Sequence, residues 1–276
     1  MASKSPAIHQ TAIVSPKAEI AAGVEVGPYS VIGEGVEIGE GTRVGPHTVI
    51  EGPAVIGREN HFIGQAAIGT IPQDLKYRGE KSRLVMGDRN TVREFVTINR
   101  GTAEDRGRTT IGSGNLLMTG VHVAHDSDVG SGVILANSAS LAGHVVVEDF
   151  ATLSAFAGVH QKCRVGTYAF VGAYTVLTRD ALPFIKTVGQ RNQARIYGIN
   201  QVGLARRGFT PEQIDSLRKA YRWLFQKGLR LKQAVGEIHV SGIETDEVRQ
   251  LIQFMENSSR GFVRRVSRIE EGSELL

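Results

Sequence analysis

The sequence runs to 276 residues with a net charge of +4, 41% hydrophobic and 22% charged side chains, a balance that permits a buried core and excludes a disordered chain. Its single cysteine, Cys163, rules out an intrachain disulfide and suits a reducing compartment. The start, "MASKSPAIHQTAIV", lacks the apolar stretch of a signal peptide, and no apolar run approaches the ~18 residues of a membrane span, so a cytoplasmic location is expected.

From Ile8 the chain reads in sixes: "IHQTAI VSPKAE IAAGVE VGPYSV IGEGVE IGEGTR VGPHTV". Each block opens on an apolar residue (Ile8, Val14, Ile20, Val26, and on to Ile68), and its fifth position is usually small or β-branched. A helix repeats near 3.6 and a strand near 2, so a sustained six predicts a solenoid of short strands and turns. The register breaks after Gly69 and resumes at Met86. It breaks again over "NRGTAEDRGRTT" and then holds from Ile111 to Leu177. The two breaks predict loops that leave the coil, where function often resides.

The solenoid is expected to end near Pro183, within a first domain of residues 1–190. A small α-helical domain, 191–276, follows. In it "TPEQ" (Thr210 to Gln213) predicts a helix start, with Thr as N-cap, Pro at the first turn and Gln closing a capping box. Ile214, Leu217, Tyr221, Leu224 and Phe225 form its apolar stripe. A second helix is expected from Thr245, with Val248, Leu251, Ile252 and Met255 inward, before a frayed tail "RIEEGSELL". Between Lys186 and Lys232 there are eleven Lys or Arg against two acids, Glu212 and Asp215. That stretch is either a solvated basic face or a surface for a phosphate, a nucleic acid or an acidic protein.

With three hexads per coil, residues 18 apart stack. His125 then lies on Gly143 and Gly143 on Gln161, with His144 and His160 beside that column and His122 on its approach. Turn histidines without a common role are the plain reading; convergence on one corner argues for a site. Such a cluster suits general-base catalysis or, alternatively, zinc.

The motifs "QDLKY" (Gln73 to Tyr77), "NRGT" (Asn99 to Thr102), "GNLLM", "HVAHD" (His122 to Asp126), "LAGH" (Leu141 to His144), "VHQ" and "GLARRGFT" resemble the UDP-N-acetylglucosamine O-acyltransferase family of lipid A biosynthesis. The resemblance covers roughly residues 7 to 265. It implies a mostly β protein, a left-handed parallel β-helix followed by helices, assembled as a homotrimer with sites in the clefts between subunits. It implies transfer of an (R)-3-hydroxyacyl group from acyl carrier protein, which bears it on phosphopantetheine, to the 3-hydroxyl of UDP-N-acetylglucosamine. No metal, other cofactor, nucleic acid or membrane span is implied.

By the same resemblance His125 is the general base, Asp126 its orienting partner, and the Gly143 amide the oxyanion donor. His122, His144, His160 and Gln161 position the sugar and acyl groups. Gln73, Asp74 and Lys76 bind the sugar nucleotide; Asn200, Arg206 and Arg207 contact the nucleotide and its phosphates. Ala173 is expected to limit acyl length: it stands about 2.7 coils from His125, roughly 13 Å at ~4.8 Å per rung, which suggests a chain of about C12 to C14. The chain departs from the family pattern at Val202, where members carry Glu, at Asn99, where some have His, and in a longer segment 189–199. Rival readings are a 3-amino sugar acceptor, a sister N-acyltransferase, a CoA-dependent acetyltransferase, a zinc hydratase and a plain scaffold. Because the hexads begin at Ile8, the uridine-binding domain that precedes the solenoid in the sister enzyme is not expected here.

Overall fold

A computed structural model describes residues 5–266. The chain winds as a left-handed parallel β-helix of triangular section. Short strands, mostly two residues long, stack into three flat faces. The first face holds eleven strands, from Ala7–Ile8 to Arg195–Ile199; the second holds nine, from Ile13–Val14 to Val176–Leu177; the third holds eight, from Glu19–Ile20 to Arg164–Val165. Partners in register are 18 apart, as with Glu25 and Arg43, or His122 and Ser140.

The hexad opener is the residue that points inward. Ile32, Ile50, Phe62, Ile68, Leu117, Leu135 and Leu177 are all fully buried or nearly so, forming one column of apolar side chains along the axis. The corners turn through residues with φ near +60°, among them Tyr29, Phe95, Asp126, His144, Phe156 and Tyr174. Turn carbonyls buried inside one corner are met by side chains at the fifth hexad position. Thr42 donates to Gly57, Asn60 to Gly87, Asn90 to Gly112 and Asn115 to Gly130. Asn90 also donates to Asn60 Oδ1 (2.9 Å), so these asparagines form an internal ladder. Thr42 keeps to the usual small or β-branched type at that position, and the three asparagines depart from it because a buried carbonyl needs a donor.

Both register breaks fall at one corner, between the second and third faces. The first is the loop 71–82, the second the loop 100–107. Stacking resumes across them unchanged, so that His61 pairs with Thr91 and Thr91 with Leu116.

The coil runs slightly past Pro183, to the strand Ile185–Val188, and closes with the antiparallel strand Arg195–Ile199. The residue-190 boundary therefore falls inside a hairpin. Four α-helices follow: α1 (Gln201–Arg206), α2 (Pro211–Tyr221), α3 (Leu231–Val240) and α4 (Asp246–Glu256), with a π-helical turn over Arg222–Gln226. The capping box at Thr210 and Gln213 is present, and Thr245 caps α4. The anticipated stripe residues are buried on α2 and α4, save Leu224 and Phe225, which fall in the π-helical turn, the first buried and the second half-buried. Helices α1 and α3 were not anticipated. Arg230 caps α3 without the short oxygen-bearing side chain that marks a start in sequence. The segment then returns to the solenoid: Ser258 donates to Asp180 (2.7 Å), and the Arg164 guanidinium lies 4.3 Å over the Phe254 ring. The tail from Arg268 onward lies outside the described residues.

Candidate active site

The corner that ejects both loops carries, on the next rungs, His125 with Asp126, then Gly143 with His144, then Gln161. The left-handed φ of Asp126 (+58°) folds its side chain back beside that of His125, so two neighbours in sequence touch. His125 Nδ1 lies 2.9 Å from Asp126 Oδ2. The carboxylate is buried and further accepts from the Thr102 amide (2.9 Å) and the Thr102 hydroxyl (2.6 Å). Burial opposes ionisation of Asp126, yet the bonds from His125 and Thr102 prevail and hold its pKa below the ordinary carboxylate value. The hydrogen bond to Asp126 in turn raises the His125 pKa, against desolvation.

The His125 ring covers Gly143. A Cβ at Gly143 would sit 2.7 Å from Cε1 and 2.8 Å from Nε2, closer than packed atoms approach. Glycine is required there by space, since its φ is not left-handed. The Gly143 amide makes no hydrogen bond among the described residues, so it is free to donate.

A groove of about 480 Å³ runs from this corner across the second face. Its wall includes Gln73, His122, His125, Gly143 and His160; its far end is Val176, Thr178 and Arg191. His122, Ser140, Gly158 and Val176 occupy successive rungs along it, a span of about 14 Å at ~4.8 Å per rung. Burial lowers the His122 pKa, helped by the charge of His125, and its Nδ1 contacts the Thr97 hydroxyl at 2.8 Å. A larger hollow, about 670 Å³, lies on the first face beside His9, Arg43 and His61. It has no carboxylate-paired imidazole, so the histidine groove is the stronger site.

The two loops form one wall over this corner. Asp74 Oδ2 stands 4.0 Å from His125 Nε2, Lys76 pairs with Glu104 (3.1 Å), and His144 Nδ1 meets Asp105 Oδ2 at 2.9 Å. Arg106 fastens the second loop to Asp128 (2.8 Å). Asp105 carries no signal in the sequence, and Thr102 only its place at the end of the "NRGT" motif: both lie in the stretch that breaks the hexad register, where the 18-residue rule places nothing. Gln161 is exposed, and its carbonyl is within 3.3 Å of His160 Nδ1.

His125, Asp126 and His144 are close enough for a metal, with one donor atom each within 4.8 Å of the others. The donors are already engaged, however. Asp126 Oδ2 serves both His125 and Thr102, and His144 Nδ1 is turned to Asp105. The arrangement fits a hydrogen-bonded base better than a metal site.

The remaining expected residues sit elsewhere. Arg207 donates to the Gly132 carbonyl (3.2 Å) and lies 5.1 Å over the Phe150 ring, at the corner between the third and first faces. Asn200 caps α1, accepting from the Gly203 amide and donating to the Tyr168 carbonyl at the same corner. Arg206 and Val202 are exposed nearby. Within one chain these residues and His125 are on separate edges of the prism. Ala173 is exposed at the corner between the first and second faces, outside the groove lining.

A family profile described as Udp N-acetylglucosamine O-acyltransferase, Domain 2, matches residues 180–263, and one described as Bacterial transferase hexapeptide (six repeats) matches residues 17–52. The chain is 48% identical over 257 residues to the acyl-(acyl-carrier-protein)–UDP-N-acetylglucosamine O-acyltransferase of Xylella fastidiosa, covering 93% of this chain and 97% of that one. It is 50% identical over 257 residues to a protein of the same name from Halorhodospira halophila, covering 93% and 99%. The solved UDP-N-acetylglucosamine acyltransferase of Francisella novicida superposes with a TM-score of 0.88 at 40% identity, covering 93% of this chain and 94% of that one.

Proposed function

The chain belongs to the UDP-N-acetylglucosamine O-acyltransferase family, and from that premise we propose that it moves an (R)-3-hydroxyacyl group from acyl carrier protein to the 3-hydroxyl of UDP-N-acetylglucosamine, opening lipid A synthesis. The observation that carries the chemistry is the His125–Asp126 pair, 2.9 Å apart, lying over the free amide of Gly143.

With Nδ1 donating to Asp126, His125 presents Nε2 as the acceptor. It takes the proton of the sugar hydroxyl as that oxygen attacks the thioester carbon. The carbonyl electron pair moves onto oxygen, where the Gly143 N–H donates to it; one such donor is typically worth ~3 kcal/mol. Collapse expels the phosphopantetheine sulfur, which leaves with the proton from His125. The imidazolium formed in between is stabilised by the buried Asp126 carboxylate. Gln73, Asp74 and Lys76 bind the sugar nucleotide from the first loop. His122, His160 and Gln161 position substrate along the groove, and Ala173 limits acyl length.

The functional unit is a homotrimer in cytoplasm. The placement of His125 and Arg207 on different edges supports this, because a second copy can bring its Asn200, Arg206 and Arg207 to the first copy's histidine corner. The basic stretch Lys186–Lys232 provides the surface for the acidic carrier protein. Purified protein given (R)-3-hydroxyacyl carrier protein and UDP-N-acetylglucosamine is expected to yield a singly O-acylated sugar nucleotide by mass spectrometry. Transfer confined to a 3-amino analogue, or none at all from the carrier protein, would overturn the reading.

A further inference from the structure

The site contains a second imidazole–carboxylate pair. His144 follows Gly143 at the same corner, its ring edge-on to that of His125 with centroids 5.2 Å apart. Its Nδ1 lies 2.9 Å from Asp105 Oδ2. Asp105 comes from the second loop, which is fastened on both sides of it. Thr102 bonds twice to the buried Asp126, and Arg106 bonds to Asp128 at 2.8 Å. The carboxylate is thus held by the same loop that orients the catalytic base.

We propose that Asp105 is a positioning residue that fixes His144 with its proton on Nδ1, so that Nε2 faces the substrate as a hydrogen-bond acceptor for a hydroxyl. A carboxylate can only accept, so a neutral His144 bonded to it must carry the Nδ1 proton. No described residue bonds Nε2 of His144. The nitrogen left over is therefore available to a ligand that donates, and both substrates of the proposed reaction carry hydroxyls: the sugar, and the 3-hydroxyacyl chain. The inference rests on the acyltransferase reading for the identity of those hydroxyls, but its tautomer claim stands apart from turnover.

The first measurement is therefore spectroscopic. In the intact protein at about pH 9, well above the ordinary histidine pKa of ~6.5, 15N spectra should show His144 as the Nδ1–H tautomer, identified by its loss in His144→Gln. In Asp105→Ala the signal should shift toward Nε2–H. An Nε2–H form in the parent, or an unchanged tautomer in Asp105→Ala, overturns the proposal. Kinetics supply the second arm. Asp105→Ala should lose about 10- to 100-fold in kcat/KM, the scale of a charge-assisted bond, with the acid limb set by His125 unmoved and partial recovery in Asp105→Glu. If the hydroxyl is the sugar's, 3-hydroxyacyl and unsubstituted acyl donors suffer equally. If it is the acyl chain's, the preference for the hydroxylated donor collapses. Parent-like kinetics with both donors would overturn the positioning role. A parent protein without acyltransfer would instead sink the functional reading and leave the tautomer test standing.

Discussion

The imidazole of His125 lies against the backbone of Gly143 on the next coil, where a single added methyl carbon would fall 2.7 Å from the ring. The imidazole proposed as the base and the amide proposed to meet the developing negative charge are therefore spaced by the rise of one rung, and no loop is needed to bring them together.

Gly143→Ala is accordingly expected to push the His125 ring off its seat while the coil persists, since an alanine suits the backbone there. A displacement near 1 Å costs on the order of 10²-fold in turnover. Steady-state kinetics on the folded variant should show kcat falling with little change in acceptor KM. Parent-like kcat would remove the close contact from the mechanism.

Asp126→Asn tests the orienting carboxylate. His125 must be neutral to act as a base, and its pKa is raised by Asp126. The acid limb of kcat/KM should then lie above the ordinary ~6.5 and move to lower pH in the variant. The maximal rate should fall by roughly 10³- to 10⁴-fold because the amide favours the wrong tautomer. An acid limb that stays where it was would show that the limb belongs to another group.

The separation of His125 from Arg207 makes a mixing test possible. His125→Ala and Arg207→Ala proteins should each be weak, the first by ~10²-fold or more. Dissociated and reassembled together, they should regain measurable turnover, because some clefts would receive the intact corner of each. Mixtures no better than the separate proteins would place both residues in one subunit's site.

Ala173 provides a test of acyl selection. Ala173→Met should shift preference toward much shorter donors and Ala173→Gly toward longer ones. One methylene of misfit carries about 10- to 200-fold in kcat/KM. Competition among donors from C8 to C16 would read this directly, and unchanged ratios would leave Ala173 as a small residue required by its turn.

The asparagine ladder bears on stability alone. Asn90 is fully buried; it bonds Asn60, Gly87 and Gly112, and accepts from the Asn115 amide. Asn90→Ala leaves several of these groups unmet, at a cost of about 2–4 kcal/mol. Thermal or denaturant unfolding should show it. A loss under ~1 kcal/mol would mean that water takes over the bonds.

How far the sequence revealed this molecule follows from where its information is periodic. The opener of each hexad, from Ile8 to Leu177, gave the coil, and the 18-residue spacing placed His125 over Gly143 without any structure. The loops broke that arithmetic, so Thr102 and Asp105 could not be assigned to the histidine corner. The pairing of His125 with Asp126 was named by the resemblance, but spacing alone did not show that the two neighbours touch. It depends on a left-handed φ at an aspartate, which spacing does not encode. Arg207 and Asn200 carried a resemblance but no position, and only the wrapping of the chain shows them on another edge. Helix α3 escaped because its start lacks a recognisable cap.

Both insertions leave and rejoin the coil at a single corner. Residues in register across them are 30 apart (His61 and Thr91) and 25 apart (Thr91 and Leu116), yet the rungs remain aligned. Length is thus a free variable at these two points and nowhere else along the described rungs of this corner. Segments 71–82 and 100–107 therefore vary in length without cost to the coil, but not in every residue. Segment 100–107 is the more constrained of the two, because its Thr102 bonds the buried Asp126 and its Asp105 meets His144, while segment 71–82 lends Gln73 to the groove wall. The coil behaves like a rack of fixed sockets, and what is plugged into two of them must still reach back to the rungs above.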